Sequence, residues 1–192
     1  MSTFSSFQSV APVAEQTLAT LQGNVPKNII QLWRSHGAGY IGNGFLRLVD
    51  PAVMTPWLPS FLVDPQGCVP VFATALADVV VWRDNYYYVV NTRFGQAYPP
   101  NFARVKNFPR VIENTYFLDS DFRWKDYTPA AERLGVPGMV ECLFYAHLLS
   151  LGGFERPESL YRGGLQAHLE LAAGLQGKIE VGTIAPPNQQ NG

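Results

Sequence analysis

The sequence predicts an α+β protein, with helices packed on a mostly antiparallel β-sheet and two lobes sharing one core. Three observations predict it. The middle of the chain, Val69 to Thr92, is rich in β-branched and aromatic residues and carries a turn-forming Asp84-Asn85 pair. Segments with apolar residues at helical spacing flank this region on both sides. The central runs Val79 to Trp82 and Tyr86 to Val90 are apolar without alternation, so both faces of the sheet need a cover that the flanking helices can supply.

The elements follow in order. Residues 1–9 read as a loose arm. Val10 to Gln22 places Val10, Val13, Ala14, Leu18 and Leu21 near helical spacing, and Gly23 ends it. Asn24 can cap a second helix, with Pro26 near the first position, where a missing N–H costs little. Ile29, Ile30, Leu32, Trp33 and His36 mark the buried stripe of that helix, and Gly37 supplies the stop. A glycine-rich loop then leads to a short strand, Phe45 to Val49. Asp50-Pro51 turns the chain, and Pro56 and Pro59 limit any helix between residues 52 and 63. Val69 to Ala75, Asp78 to Arg83 and Tyr86 to Thr92 are strands. Residues 93–128 are irregular. Pro129 to Leu134 is one or two helical turns, and Glu141 to Leu151 is a buried segment that suits strand or helix. Glu158 to Leu175 carries Leu165, His168, Leu169, Ala172 and Leu175 at helical spacing, interrupted by Gly163-Gly164. The tail, 182–192, has nothing to bury and is expected to be disordered.

Of 192 residues, 47% are hydrophobic, 13% aromatic and 15% charged. Ordinary domains carry about 25% charged residues, so the chain is charge-poor and ring-rich, which excludes disorder as its overall state. The formal net charge of −1 makes the whole molecule neither a polyanion binder nor an acidic DNA mimic. The two cysteines, Cys68 and Cys142, sit among apolar residues and read as reduced, buried thiols. No apolar run approaches the ~20 residues of a membrane helix, and residues 1–10 lack a signal-peptide pattern, so a cytoplasmic chain without membrane partners is expected.

Several motifs invite chemistry and fit it poorly. Gly37-Ala38-Gly39-Tyr40-Ile41-Gly42 matches the dinucleotide pattern, but a helix precedes it and a strand follows, the reverse of what phosphate binding requires. His36, His147 and His168 lie far apart and show no metal-ligand spacing, so neither metal nor cofactor is expected. Cys142 with His147 would be a nucleophile pair only in an electropositive setting, and its neighbour is Glu141. No catalytic residues emerge. Thr92 to Arg110 interleaves Arg93, Arg104, Lys106 and Arg110 with Phe94, Tyr98, Phe102 and Phe108, a pattern that could hold single-stranded nucleic acid. Glu113 to Tyr127 sets Glu113, Asp119, Asp121 and Asp126 among Tyr116, Phe117, Phe122, Trp124 and Tyr127. That mixture suits a protein interface against a basic partner, and equally a lid that buries its rings and wets its acids.

The order of short motifs resembles a known family. Pro26, Ile29-Ile30-x-x-Trp33-Arg34-x-His36-Gly37-x-Gly39, Gly44 and Val49-Asp50-Pro51 resemble the GAD-like domain of bacterial proteins, and Thr74-Ala75-x-x-Asp78-x-x-x-Trp82 resembles its hairpin strand. Leu134-Gly135, Glu141-Cys142-x-Phe144, Leu151-Gly152-Gly153 and Gln166-Ala167-His168-Leu169 resemble the domain of unknown function that usually follows. The likeness spans about residues 24–178 and departs from the family between the hairpin and Leu134. It implies a division into an arm and first helix (1–23), a GAD-like domain (24–100), a C-terminal domain (101–181) and a tail (182–192). It also implies a role: an immunity protein that binds a DNase effector of bacterial type VI secretion and holds it inactive. The motifs are caps, turns and core residues, so they transfer no binding residues. The residues expected to meet the toxin come instead from the acidic and aromatic segment: Glu113, Asp119, Asp121, Phe122, Trp124 and Asp126. An enzyme with an unrecognised pocket and a nucleic-acid binder using residues 92–110 are the alternative readings.

Overall fold

The computed structural model describes residues 6–100 and 114–182. Its centre is a seven-stranded, wholly antiparallel sheet whose strands lie side by side in chain order. These are β1 (Gln8–Ala11), β2 (Ala38–Ile41), β3 (Leu46–Leu48), β4 (Val69–Thr74), β5 (Val79–Arg83), β6 (Tyr86–Asn91) and β7 (Gln96–Tyr98). The β5–β6 hairpin turns on Asp84 and Asn85 at φ 49° and 66°, the left-handed pair whose twist matches that of the strands it joins. Across that hairpin Val80 faces Val89 and Trp82 faces Tyr87, while the intervening Val79–Val90 and Val81–Tyr88 pairs face the opposite layer. The period of two holds, but both sets are apolar because both faces are covered.

One cover comes from α1 (Glu15–Leu21), α2 (Lys27–His36), α5 (Thr115–Phe122) and α6 (Trp124–Leu134). Ile29, Ile30 and Trp33 of α2 join Phe117, Phe122 and Tyr127 of α5 and α6 over Phe72, Val80 and Tyr87. The other comes from α3 (Pro51–Met54), α4 (Leu58–Phe61) and α7 (Leu165–Gln176), which bring Met54, Leu58, Phe61, Leu165 and Leu169 onto Val79, Val81 and Tyr88. A two-stranded ribbon, β8 (Glu141–Tyr145) with β9 (Leu160–Gly164), contributes Leu143 to the first layer and Cys142 to the second. Each layer therefore draws on residues from both halves of the chain, so the halves share their core. Two tryptophans are fixed in it by their indole N–H groups. Trp33 donates to the Val49 carbonyl at 2.9 Å and Trp82 to the Asn24 carbonyl at 2.8 Å.

Several elements differ from the sequence reading. Gln8–Ala11 is an edge strand and not part of an arm or helix, and α1 begins only at Glu15, beyond Pro12. Pro26, not Asn24, stands at the α2 N-cap, because the Asn24 side chain donates back to the Thr20 carbonyl at 3.4 Å. Gly37 does end α2 at φ 71°, but the following residues are strand β2, and Gly42-Asn43-Gly44, all at positive φ, form the β2–β3 turn. Helix α6 starts five residues before Pro129; the N–H that proline lacks would have met the carbonyl of exposed Lys125, which water can satisfy. Glu141–Tyr145 resolves as strand. Gly163-Gly164 interrupts no helix: it ends β9 where α7 begins, because Gly163 and Gly164 pair with Cys142 and Glu141. Residues 183–192 lie outside the described residues.

Candidate functional site

The junction between the two halves carries a chain of buried and half-buried charges. Asp78 opens β5 after a tight turn that the Thr74 hydroxyl organises, accepting N–H bonds from Leu76 at 3.2 Å and Asp78 at 3.1 Å. The Asp78 carboxylate is wholly buried and takes a two-pronged contact from Arg93, Nη2 at 2.9 Å and Nε at 3.2 Å. Arg93 Nη2 also donates to the Asp121 carbonyl at 2.9 Å, and Nη1 lies 3.8 Å from Glu155. Glu155 pairs with Arg123 at 3.0 Å; Arg123 reaches Asp126 at 3.6 Å; the Tyr145 hydroxyl donates to Asp126 at 3.0 Å. Burial pushes the Asp78 carboxyl up to about 6 against the opposing pull of Arg93. These charges form one network, in which Asp78 and Arg93 are sealed from solvent while Arg123 and Glu155 stay partly exposed. They fasten Asp78 and Arg93 of the first half to Asp121, Arg123, Asp126 and Tyr145 of the second.

Arg47 makes a second fastening. Its side chain is fully buried in β3 and Nη1 donates to the carbonyls of Met139 and Glu141. The Glu141 carboxylate itself pairs with Arg162 at 2.6 Å.

Above the junction, α5 and α6 form a corner. Asn114 caps α5 by accepting N–H bonds from Tyr116 at 3.0 Å and Phe117 at 3.3 Å. Phe117, Leu118 and Phe122 turn inward, with the Phe117 and Phe122 rings edge to face at 5.4 Å. Arg123 takes the left-handed conformation between the helices, at φ 58°. Asp119 then reaches across the corner, accepting the Lys125 N–H at 3.2 Å and pairing with the Lys125 ammonium at 3.5 Å. Trp124 is half-buried and walls a cleft of about 170 Å³ with Thr115 and Leu118 on one side and Ile41, Phe45 and Leu46 of the β2–β3 hairpin on the other.

The sequence-derived interface residues therefore separate. Asp119 and Asp121 are half-exposed and Trp124 lines a cleft, so a partner could reach all three. Phe122 and Asp126 are corrected: Phe122 has no exposed surface and packs on Phe117, and Asp126 is buried beneath Arg123 and Tyr145. Acid-ring alternation does not say which residues of a helix point inward. Glu113 lies outside the described residues. In the basic stretch, Arg93 is committed to Asp78, while Arg104, Lys106, Arg110, Phe102 and Phe108 lie outside the described residues.

Cys142 is fully buried, and burial pushes its thiol up to about 12, so it is no nucleophile for His147. Cys68 and Cys142 are both free and buried. His168 is buried and stacked on Phe144 at 4.8 Å, and its Nδ1 has no hydrogen-bond partner among the described residues. Among the described residues no group of three or more His, Cys, Asp or Glu is placed to hold a metal ion, and no helix is long and apolar enough to cross a membrane. The ionic junction escaped the sequence reading, although a signal existed. Asp78 is a lone charge entering an apolar strand, which demands a buried partner.

The described residues thus form an antiparallel sheet covered on both faces, with a buried Asp78–Arg93 pair at the junction of the two halves and a cleft walled by Trp124 at the α5–α6 corner. The chain belongs to the GAD-like family, whose model matches residues 1–96. Its fold is similar to that in the crystal structure of Atu4351 from Agrobacterium tumefaciens, with a TM-score of 0.68 and 14% identity over 88% of this chain and 85% of that one. No curated protein matches the chain.

Proposed function

We propose that this protein is an immunity protein that binds a cognate type VI secretion toxin, a DNase, and holds it inactive in the cytoplasm of the cell that makes both. The observation that carries the reading is the division of the acidic-aromatic segment. Phe117, Leu118, Phe122 and Asp126 anchor α5 and α6 to the core, leaving Asp119, Asp121 and Trp124 at the surface on a fixed base. A preorganised ring flanked by carboxylates suits the basic, DNA-binding groove of a nuclease. The sequence motifs through residues 134–169 add the C-terminal domain that accompanies GAD-like domains in such immunity proteins. The protein acts by binding, without catalysis or cofactor, across an interface of the usual size, roughly 1,600 Å².

The test pairs the chain with the C-terminal nuclease domain of the secreted toxin encoded beside it. Co-production is expected to restore growth of a bacterial host that the nuclease alone kills, and the purified chain to stop plasmid cleavage near one equivalent. Cleavage unchanged at tenfold excess would refute the reading.

A further inference from the structure

Strand β1 is an open edge of the sheet. Gln8–Ala11 pair with β2 alone, no described residue bonds to their outer backbone groups, and all four residues are exposed. Soluble proteins usually blunt such an edge with charge or proline. None of these four residues is charged or a proline. The register slips between Ser9 and Ala11, and the bulge this makes leaves Val10 opposite no residue of β2. Val10 and Ala11 instead line a pocket of about 150 Å³ under the edge, floored by Val49 and Met54 of the second layer. Its rim, made by Val10, Val53 and Val140, is about half exposed. A cavity of that volume takes one benzene-sized group, hence one large side chain.

Unpaired backbone N–H and C=O groups bind an extended chain, which sends alternate side chains to the two faces of the sheet. A strand laid on β1 therefore directs a side chain past Val10 and into the pocket. Two observations identify the source of that strand. The single charged residue among the described lining is Asp50, one oxygen of which holds the Ala52 N–H at 2.9 Å while the other has no partner among the described residues. A basic segment matches that carboxylate and an acidic one does not. β1 also continues from Ser6, which lines the Trp124 cleft, so the edge is contiguous with the surface proposed to meet the toxin. We propose that an extended segment of the toxin adds to β1 as an eighth strand, with a large apolar side chain in the pocket and a basic residue beside Asp50. The proposal rests on the toxin-binding reading and supplies the mode of that binding.

The test measures the Kd of the full chain for a catalytically inactivated form of the same nuclease domain, together with amide exchange of the free and bound chain. Val10→Lys charges the edge, and Val53→Trp fills the pocket from its exposed rim; neither residue is in the core. Each is expected to weaken binding by about 30-fold or more, as for a central anchor. Asp50→Asn keeps an acceptor for the Ala52 N–H and removes the charge, so it should weaken binding less and flatten its salt dependence. In the parent complex, alternate amides of residues 8–11 should exchange about tenfold or more slowly than in the free chain, which side-chain contact alone does not produce. If the parent binds and these amides exchange as in the free chain, the added strand is wrong and toxin binding stands. The same holds if both Val10→Lys and Val53→Trp bind within about twofold of the parent with unchanged melting temperatures. If the parent does not bind, both readings fall. A free chain that is a dimer, broken by Val10→Lys, would make a second copy the occupant and overturn the proposal.

Discussion

His168 gives the sharpest physical prediction. The residue is 6% exposed, Nδ1 has no partner among the described residues, and burial lowers its pKa from 6.5 to about 4. A base whose folded pKa is depressed favours the native state above pH 6.5 and withdraws that support as pH falls, because the unfolded chain takes up the proton first. Between pH 7 and pH 4.5 the loss is about 2.5 kcal/mol, from 1.36 kcal/mol per pKa unit. His168→Phe keeps a ring to stack on Phe144 and cannot be protonated. Its extra bulk costs about 1–3 kcal/mol at any pH, so the pH-independent part cancels in a difference. Asp78, whose raised pKa acts in the opposite direction between about pH 4 and 6, is present in both proteins and cancels too. Urea unfolding of parent and variant at pH 7 and pH 4.5 should show the variant gaining about 2.5 kcal/mol on the parent at the lower pH. A relative gain below about 1 kcal/mol would refute the reasoning and place a stabilised imidazolium at this position.

Other perturbations test the framework. Asp78→Ala leaves Arg93 buried beside Glu155 alone and should cost about 3–5 kcal/mol in denaturant unfolding, whereas Asp78→Leu with Arg93→Met should cost clearly less than the sum of the single changes. Asp50 accepts the Ala52 N–H at 2.9 Å at the start of α3, so Asp50→Ala should cost about 1 kcal/mol by the same measurement. Gly37→Ala places a methyl group against the Ala11 carbonyl at a left-handed residue; it should lower stability by more than about 1 kcal/mol and loosen β1, read as faster amide exchange over residues 8–11. Both thiols should stay silent to a thiol reagent until the protein unfolds, since each is buried and burial raises each pKa.

Much of the fold was legible because it is written locally. Two left-handed residues at Asp84-Asn85, valines and rings on either side, and a glycine at the end of the Ile29–Trp33 stripe each act within a few residues. Reading failed where a local pattern had two solutions. The spacing from Glu158 to Leu175 looked like a broken helix, but residues 160–164 became a strand because β8, nearly twenty residues earlier, offered a partner. The acidic-aromatic segment showed the same limit at the site. Its sequence flagged the region, and it could not say that Phe122 and Asp126 turn inward while Trp124 stays at the surface.

By itself, the sequence determined the fold class, the buried central hairpin and the buried, unpaired cysteines. All of these follow from residue type and short-range periodicity. Only the tertiary structure decided that Asp78 meets Arg93, that Arg93 reaches the carbonyl of Asp121, and that Trp124 faces a hairpin far earlier in the chain. Such contacts join segments that no local period connects. They are selected by the desolvation cost of burying a charge or an indole without a partner, which is known only once the chain has closed around it.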